Sequence, residues 1–246
     1  MESSIYNSLV AKQKEGKRMI AILIDPDKAN KDFLANICAK ADDLEADLIL
    51  IGGSLLTDGN LDDTIGEIQG FTKIPTVLFP GSSSQITDKA DGILFLSLLS
   101  SRNPEMLIGQ QVIAAPYLKK TSLQILSTAY LLIDSGAQTT ASYMSNSNPI
   151  PSNKPEIAAS TALAGEYLGM SISYLDGGSG AESPVPSNMI KKVRSYVSNL
   201  LFIGGGINTV EKAANAFEAG ADLIVVGNAI EKNPSFLSEL KSLLQK

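Results

Sequence analysis

The stretch Tyr174-Leu175-Asp176-Gly177-Gly178-Ser179-Gly180 decides how this chain is read. The apolar run 172–175 predicts a strand, which ends in one carboxylate and breaks into a glycine-rich turn. Glycines let the backbone bend tightly and bring unshielded N–H groups against an anion. Two later apolar runs end the same way. Leu200-Leu201-Phe202-Ile203 runs into Gly204-Gly205-Gly206, Leu223-Ile224-Val225-Val226 runs into Gly227-Asn228, and a helical pattern follows each. One such turn reads as simple punctuation; three at near-regular spacing predict a phosphate pocket shared by neighbouring strand ends. In a (βα)8 barrel that pocket forms at the C-terminal face, from the late βα loops.

The remainder of the chain fits such a barrel. Continuous apolar runs at 19–24, 48–51, 76–79 and 92–96 predict buried parallel strands. A fifth strand is expected from 129 to 133, extending through a Thr/Ser/Tyr-rich stretch to about 144. Helical spacing is read at 3–16, 31–44, weakly at 61–70, at 103–120 with Pro116 near its end, at 155–168 with Gly169 as cap, at 188–197 and at 235–244. Only about eleven residues separate the third strand from the fourth, too few for a full crossover helix, so the third helix is expected to be modified or missing. Eight strands alternating with helices and no linker predict one TIM-barrel domain over residues 1–246. A doubly wound sheet would carry its phosphate loop after the first strand. Here that strand ends in two carboxylates, with no G-x-G-x-x-G fingerprint and no Walker A lysine.

Composition narrows the chemistry. The 246 residues contain no histidine, which removes Ser-His-Asp and Cys-His nucleophilic schemes. The one cysteine, Cys38, rules out an internal disulfide and any zinc site built on two cysteines of this chain. A metal would be held by oxygen ligands, which favours Mg²⁺ or Ca²⁺. A net charge of −6 argues against a nucleic-acid partner. Residues 1–17 are polar and the longest apolar runs are five to seven residues, so a cytoplasmic protein without an integral membrane segment is expected.

Asp25 and Asp27 close the first strand in Asp25-Pro26-Asp27-Lys28, and Ser54 closes the second in Gly52-Gly53-Ser54. A carboxylate and a hydroxyl beside a phosphate pocket suit Mg²⁺, which takes one or two protein oxygens and completes its octahedron with water and phosphate. The competing reading makes Asp25-Pro26-Asp27 a turn and helix cap, with Asp27 as the capping residue. Lys28 reads either as a solvated helix residue or as a counter-charge to phosphate. Tyr174 reads as barrel core or as a site residue, and Asp176 has the stronger claim, since carboxylates at strand C-termini rarely serve packing.

Taken with Asn103-Pro104 and Ile108-Gly109, these motifs fall in the order and strand positions of one family. The chain resembles the geranylgeranylglyceryl phosphate synthases and the bacterial heptaprenylglyceryl phosphate synthases, over nearly its whole length. The resemblance implies a TIM-barrel prenyltransferase that joins sn-glycerol 1-phosphate to a polyprenyl diphosphate, geranylgeranyl or another, through an ether bond. It implies Mg²⁺ at Asp25 and Ser54, and catalytic roles for Asp176 and Tyr174. It implies glycerol-phosphate binding by Tyr174, Leu175, Asp176, Gly177, Gly178, Ser179, Gly180, Gly205, Gly206, Gly227 and Asn228. It also implies a homo-oligomer (a dimer or a hexamer), and the lipid product suggests peripheral membrane contact. One departure stands out: the family commonly has Glu where this chain has Asp176.

The isoprenoid tail would need a long apolar groove, with Leu94, Leu96, Leu98, Leu99, Ile108, Val112, Ile113, Tyr117 and Leu118 as candidates; segment 98–120 is also a candidate contact surface. Two other readings stay open on residues alone. One is a sugar-phosphate isomerase or aldolase type of barrel, although no expected strand ends in a Schiff-base lysine. The other is a phosphate-binding barrel without catalysis.

Overall fold

A computed structural model describes residues 4–244. Eight parallel strands close into a barrel in sequence order: β1 (Met19–Ile24), β2 (Leu48–Ile51), β3 (Thr76–Leu78), β4 (Gly92–Leu98), β5 (Gln124–Leu132), β6 (Ile172–Asp176), β7 (Leu200–Gly204) and β8 (Leu223–Val226). Closure is made by β1 against β8, with Met19 opposite Leu223 and Ile22 opposite Val226. The strands read as unbroken apolar runs because both faces are buried. Along β1, Met19 and Ala21 fill the barrel interior with Leu50, Val77, Leu94 and Phe202. Ile20, Ile22 and Ile24 face the surrounding helices with Ile37, Ile65 and Leu240.

The helices are α1 (Ile5–Lys14), α2 (Lys31–Leu44), α3 (Leu61–Phe71), α4 (Gln110–Leu118), α5 (Thr140–Ser145), α6 (Pro155–Tyr167), α7 (Ser187–Arg194), α8 (Val210–Glu218), α9 (Asn228–Lys232) and α10 (Phe236–Leu244). α1 packs on the barrel interior through Leu9, which joins the inner core, and Gln13 reaches across to Asp222 at 2.9 Å. Cys38 is fully buried on α2, where desolvation and then the nearby Asp42 push its thiol up to about 11.

No helix separates β3 from β4, as the short spacing predicts. The connecting loop is pinned instead by Gln85, which accepts from Gly81 N–H at 3.0 Å and donates to the Gly53 carbonyl at 3.1 Å. Four expectations change. The fifth strand begins at Gln124 and stops at Leu132, and the Thr/Ser-rich stretch after it forms α5 instead of more strand. Thr139 and Ser142 explain the change: each side chain accepts the other's backbone N–H, at 3.3 and 3.1 Å, a reciprocal cap that starts a helix. The helix expected over 103–120 is split into a π-turn (Glu105–Gly109) and α4, with Pro116 inside the last turn of α4 and not at its end. α7 ends three residues earlier than expected, at Arg194. The short α9, which starts directly after Gly227, is not foreseen at all.

Candidate active site

The C-terminal ends of the strands surround a cavity of about 940 Å³. Asp176 is the last residue of β6 and is 6% exposed. Strand alternation sends Tyr174 and Asp176 inward and Leu175 outward, so the Leu175 side chain lies in the helix-facing core and not against the cavity. Asp176 Oδ1 accepts from Gly178 N–H at 2.7 Å, and Oδ2 accepts from the Tyr130 hydroxyl at 2.7 Å. Burial pushes the Asp176 carboxyl above the usual carboxylate range, against the pull of these two hydrogen bonds. Burial, together with the Asp176 charge, raises the phenols of Tyr130 and Tyr174 well above their ordinary value.

Tyr174 stacks within an aromatic cluster, 5.4 Å from both Phe79 and Tyr130 and 6.0 Å from Phe202. Its ring edge lies against Gly204, where an added Cβ would stand 2.4 Å from the Tyr174 hydroxyl. Tyr174 is therefore both barrel core and cavity wall, and the two sequence readings of it are not exclusive. Tyr130 is the site residue that the sequence leaves unmarked. It sits in mid-strand among apolar neighbours, and only the parallel pairing of Tyr130 with Tyr174 brings it beneath Asp176.

The three glycine turns converge. Gly178, Ser179, Gly180, Gly205, Gly206, Gly227 and Asn228 all line the cavity, while Gly177 turns inward and donates its N–H to the Gly204 carbonyl at 3.0 Å. Gly205 is required twice over: its φ is +79°, and a Cβ there would lie 2.6 Å from Gly177 N and 2.8 Å from Asp176 Oδ1. Ser179 and Asn228 join the β6 and β8 loops by a hydrogen bond of 3.3 Å.

Across the cavity, Asp25 and Ser54 both face the opening. A Cβ on Gly53 would meet Asp25 Oδ1 at 3.4 Å, so the β1 and β2 ends are in close approach. Asp25, not Asp27, is the local cap: its Oδ1 accepts from Asp27 N–H at 3.1 Å and starts a 3-10 turn. Asp27 instead gathers the 57–59 loop, accepting from Thr57 N–H at 2.8 Å, Thr57 Oγ1 at 2.9 Å, Asp58 N–H at 3.2 Å and Gly59 N–H at 2.6 Å. These donors, led by the Thr57 and Gly59 N–H groups, hold its carboxyl below the usual range. The cap of α2 is Asn30. Lys28 bridges Asp25 Oδ2 at 3.3 Å and Glu231 of α9 at 3.0 Å. Partial burial disfavours its charge, and the Glu231 and Asp25 carboxylates outweigh that and hold the ammonium above its ordinary value.

No cluster of three or more His, Cys, Asp or Glu side chains able to hold a metal occurs among the described residues. One carboxylate and one hydroxyl fit a cation that keeps most of its waters, the habit of Mg²⁺. The cavity continues along both faces of β4, with Leu94, Leu96 and Leu98 on the inner face and Ile93 and Phe95 on the outer, where a third helix would otherwise lie. Met106 and Ala114 extend that apolar wall. Of the groove candidates on α4, Ile108, Val112, Ile113 and Tyr117 are exposed and do not line the cavity. Their direction is set by the π-turn, which shifts the helix register by one residue. Leu99 lies at a separate surface groove with Ile157 and Leu168, and Leu118 is buried in the helix-facing core.

Comparison with known proteins agrees with this geometry. A protein of Chitinophaga pinensis named geranylgeranylglyceryl phosphate synthase is 49% identical over 240 residues, covering 98% of this chain and 95% of that one. One of the same name from Pyrococcus furiosus is 41% identical over 230 residues, covering 93% and 91%. The crystal structure of (S)-3-O-geranylgeranylglyceryl phosphate synthase from Thermoplasma acidophilum, in complex with its substrate sn-glycerol-1-phosphate, superposes with a TM-score of 0.90 at 32% identity, covering 98% and 97%. The PcrB family model matches residues 12–244, and the chain belongs to that family.

Proposed function

We propose that this protein joins sn-glycerol 1-phosphate to a polyprenyl diphosphate through an ether bond and releases pyrophosphate, as a step of ether-lipid synthesis. The observation that carries the reading is one cavity with two unlike halves. Three glycine loops and a buried carboxylate form one half, and an apolar extension along both faces of β4 forms the other. A sugar-phosphate isomerase needs the first half and has no use for the second.

The β6, β7 and β8 loops offer backbone N–H groups to the glycerol phosphate, in the manner of late barrel loops. Asp176 orients the glycerol 3-hydroxyl and accepts its proton as the ether bond forms. Its raised proton affinity suits that late transfer better than early abstraction by a strong base. Asp is shorter than the Glu common in the family, and the Tyr130 hydroxyl fixes where the shorter carboxylate points. Asp25 and Ser54 would hold Mg²⁺, which when bound supplies positive charge to the departing diphosphate. The apolar wall receives the tail and keeps water from the allylic carbon. The exposed apolar residues of 108–117 would serve contact with another copy of the chain or with a lipid surface, and a cytoplasmic location suits the substrates. No described helix is long and apolar enough to cross a membrane.

The test is incubation with radiolabelled sn-glycerol 1-phosphate, Mg²⁺ and a series of polyprenyl diphosphates, followed by extraction into organic solvent. Label that enters the organic phase only with both Mg²⁺ and a diphosphate establishes the transferase, and the best donor fixes the tail length. Glycerol-phosphate binding without transfer to any donor would replace this reading with a phosphate barrel of another activity.

A further inference from the structure

The proposed reaction places two phosphate-bearing substrates in one cavity, and the cavity supplies cations to only one side of it. Its charged lining consists of three carboxylates, Asp25, Asp176 and Glu231, and two ammonium groups, Lys28 and Lys232. The glycerol phosphate has three glycine turns to bind it through backbone N–H groups. The prenyl diphosphate carries more charge and meets no such nest beside β1 and β2, so side-chain cations must do that work. Lys232 stands exposed at the rim. Lys28 is tethered: its ammonium lies 3.3 Å from Asp25 Oδ2, and 3.2 and 3.0 Å from the two carboxylate oxygens of Glu231.

We propose that Lys28 is the cation that receives the diphosphate of the prenyl donor, and that Asp25 and Glu231 hold its ammonium at the mouth of the site until the donor arrives. This rests on the transferase reading above and assigns it a further substrate-binding residue. Two features set Lys28 apart from a surface ion pair. Its partners lie on different loops, the β1 turn and α9, so the pair spans the entrance and does not run along one helix. One of those partners, Asp25, is the residue to which the metal is assigned, so the same carboxylate would lie against Lys28 before binding and against the cation after it. Glu231 is a positioning residue and touches no substrate.

The chemistry balances without a proton from Lys28. The donor C1–O bond breaks with its electron pair on the diphosphate oxygen, C1 bonds to the glycerol 3-oxygen, and that oxygen's proton passes to the Asp176 carboxylate. Lys28 only neutralises the charge that builds on the leaving diphosphate.

Titration with inorganic pyrophosphate, followed by calorimetry with Mg²⁺ and again with a chelator, reads this directly. Lys28→Met should weaken pyrophosphate binding by about 10-fold or more in both conditions, the usual cost of losing a charge-assisted contact. It should raise KM for the polyprenyl diphosphate and leave sn-glycerol 1-phosphate binding within about twofold. Lys28→Arg should recover most of the pyrophosphate affinity, which separates a charge requirement from a folding defect. Glu231→Gln removes the competing carboxylate and should leave pyrophosphate binding equal or tighter. Wild-type pyrophosphate affinity in Lys28→Met overturns the proposal. So does an equal loss for both ligands, or a Glu231→Gln variant as weak as Lys28→Met. A wild-type protein that binds pyrophosphate through Lys28 yet transfers no label sinks the transferase and not the anion site. Normal transfer with a pyrophosphate-indifferent Lys28 does the reverse.

Discussion

The two ends of the barrel use aspartate in opposite ways. At the N-terminal end, Asp47, Asp91 and Asp222 each follow an alanine and stand just before a strand. Each ties its strand to the previous one through a backbone N–H: Asp47 to Ile20 at 2.8 Å, Asp91 to Thr76 at 2.7 Å and Asp222 to Leu201 at 2.7 Å. Further donors complete them. Lys12 donates to Asp47, the Thr76 hydroxyl to Asp91, and Gln13 and Arg194 to Asp222. At the C-terminal end, Asp176 has two donors and faces a cavity, and Asp25 has one N–H and a shared lysine. A carboxylate whose oxygens are all engaged by its own protein holds strands together. One that is left with lone pairs toward open volume is available to a ligand.

The sharpest break in that contrast comes from Asp176→Asn. Asparagine keeps an acceptor for Gly178 N–H and offers its amide to the Tyr130 oxygen, so the fold should survive. Turnover should fall by ~10²–10⁴, the usual range for a proton-accepting group. Near-wild-type kcat with weaker glycerol-phosphate binding would keep Asp176 as a ligand contact and remove it as a base. The stability of the variant sharpens the point. Burial raises the carboxyl's proton affinity in the folded state above its unfolded value of 3.8. The folded protein thus binds more protons than the unfolded one between those two values, and this group's contribution improves as pH falls through the folded pKa. At neutral pH the charged, buried Asp176 is a liability, and Asp176→Asn should melt no lower than wild type. Its advantage should shrink on acidification.

Asp222→Ala tests the other end. It leaves the Leu201 N–H, Gln13 and a largely buried Arg194 guanidinium without their acceptor. A loss of about 2–4 kcal/mol is expected, seen as a fall of roughly 5–15 °C in melting temperature, with kcat at 25 °C unchanged. Gly205→Ala comes next, because φ +79° and a 2.6 Å clash with Gly177 N force the β7 loop to move. KM for sn-glycerol 1-phosphate should rise about 10-fold while KM for the prenyl donor holds. Equal changes in both constants would mean that the loop supports the whole site and not one phosphate.

What the sequence makes legible follows the same division. The eight strands are readable because parallel strands buried on both faces become continuous apolar runs. The glycine loops are readable because only glycine tolerates their geometry. The missing third helix is readable from length alone. α5 is missed because its Thr139–Ser142 cap lies in a Thr/Ser/Tyr stretch whose composition resembles a strand. The outward turn of Ile108, Val112 and Ile113 is missed because the π-turn breaks the helical period on which the reading depends. Tyr130 is invisible because its role comes from the register of β5 against β6, a tertiary fact with no local mark.

Tyr130 is also where the contrast between the two ends can be broken most finely. Its hydroxyl is buried and spends its hydrogen bond on a carboxylate, as Thr76 does for Asp91 at the other end. On that likeness alone it would be a structural brace. Its partner, however, faces the cavity, and the hydrogen bond holds down the proton affinity of Asp176 against the push of burial. Tyr130→Phe keeps the ring, and with it the 5.7 Å edge contact to Phe79 and the 5.4 Å contact to Tyr174, and removes only the donor. Without it, Asp176 should hold its proton to higher pH. The acidic limb of the kcat/KM profile should move up, and kcat/KM at neutral pH should fall by about 3–10-fold, the worth of one hydrogen bond to a charged group. A variant with lower melting temperature and an unmoved pH limb would place Tyr130 with the braces of the N-terminal end. A shifted limb with unchanged melting temperature would place it in the active site, as the group that lets an aspartate stand where the family commonly has glutamate.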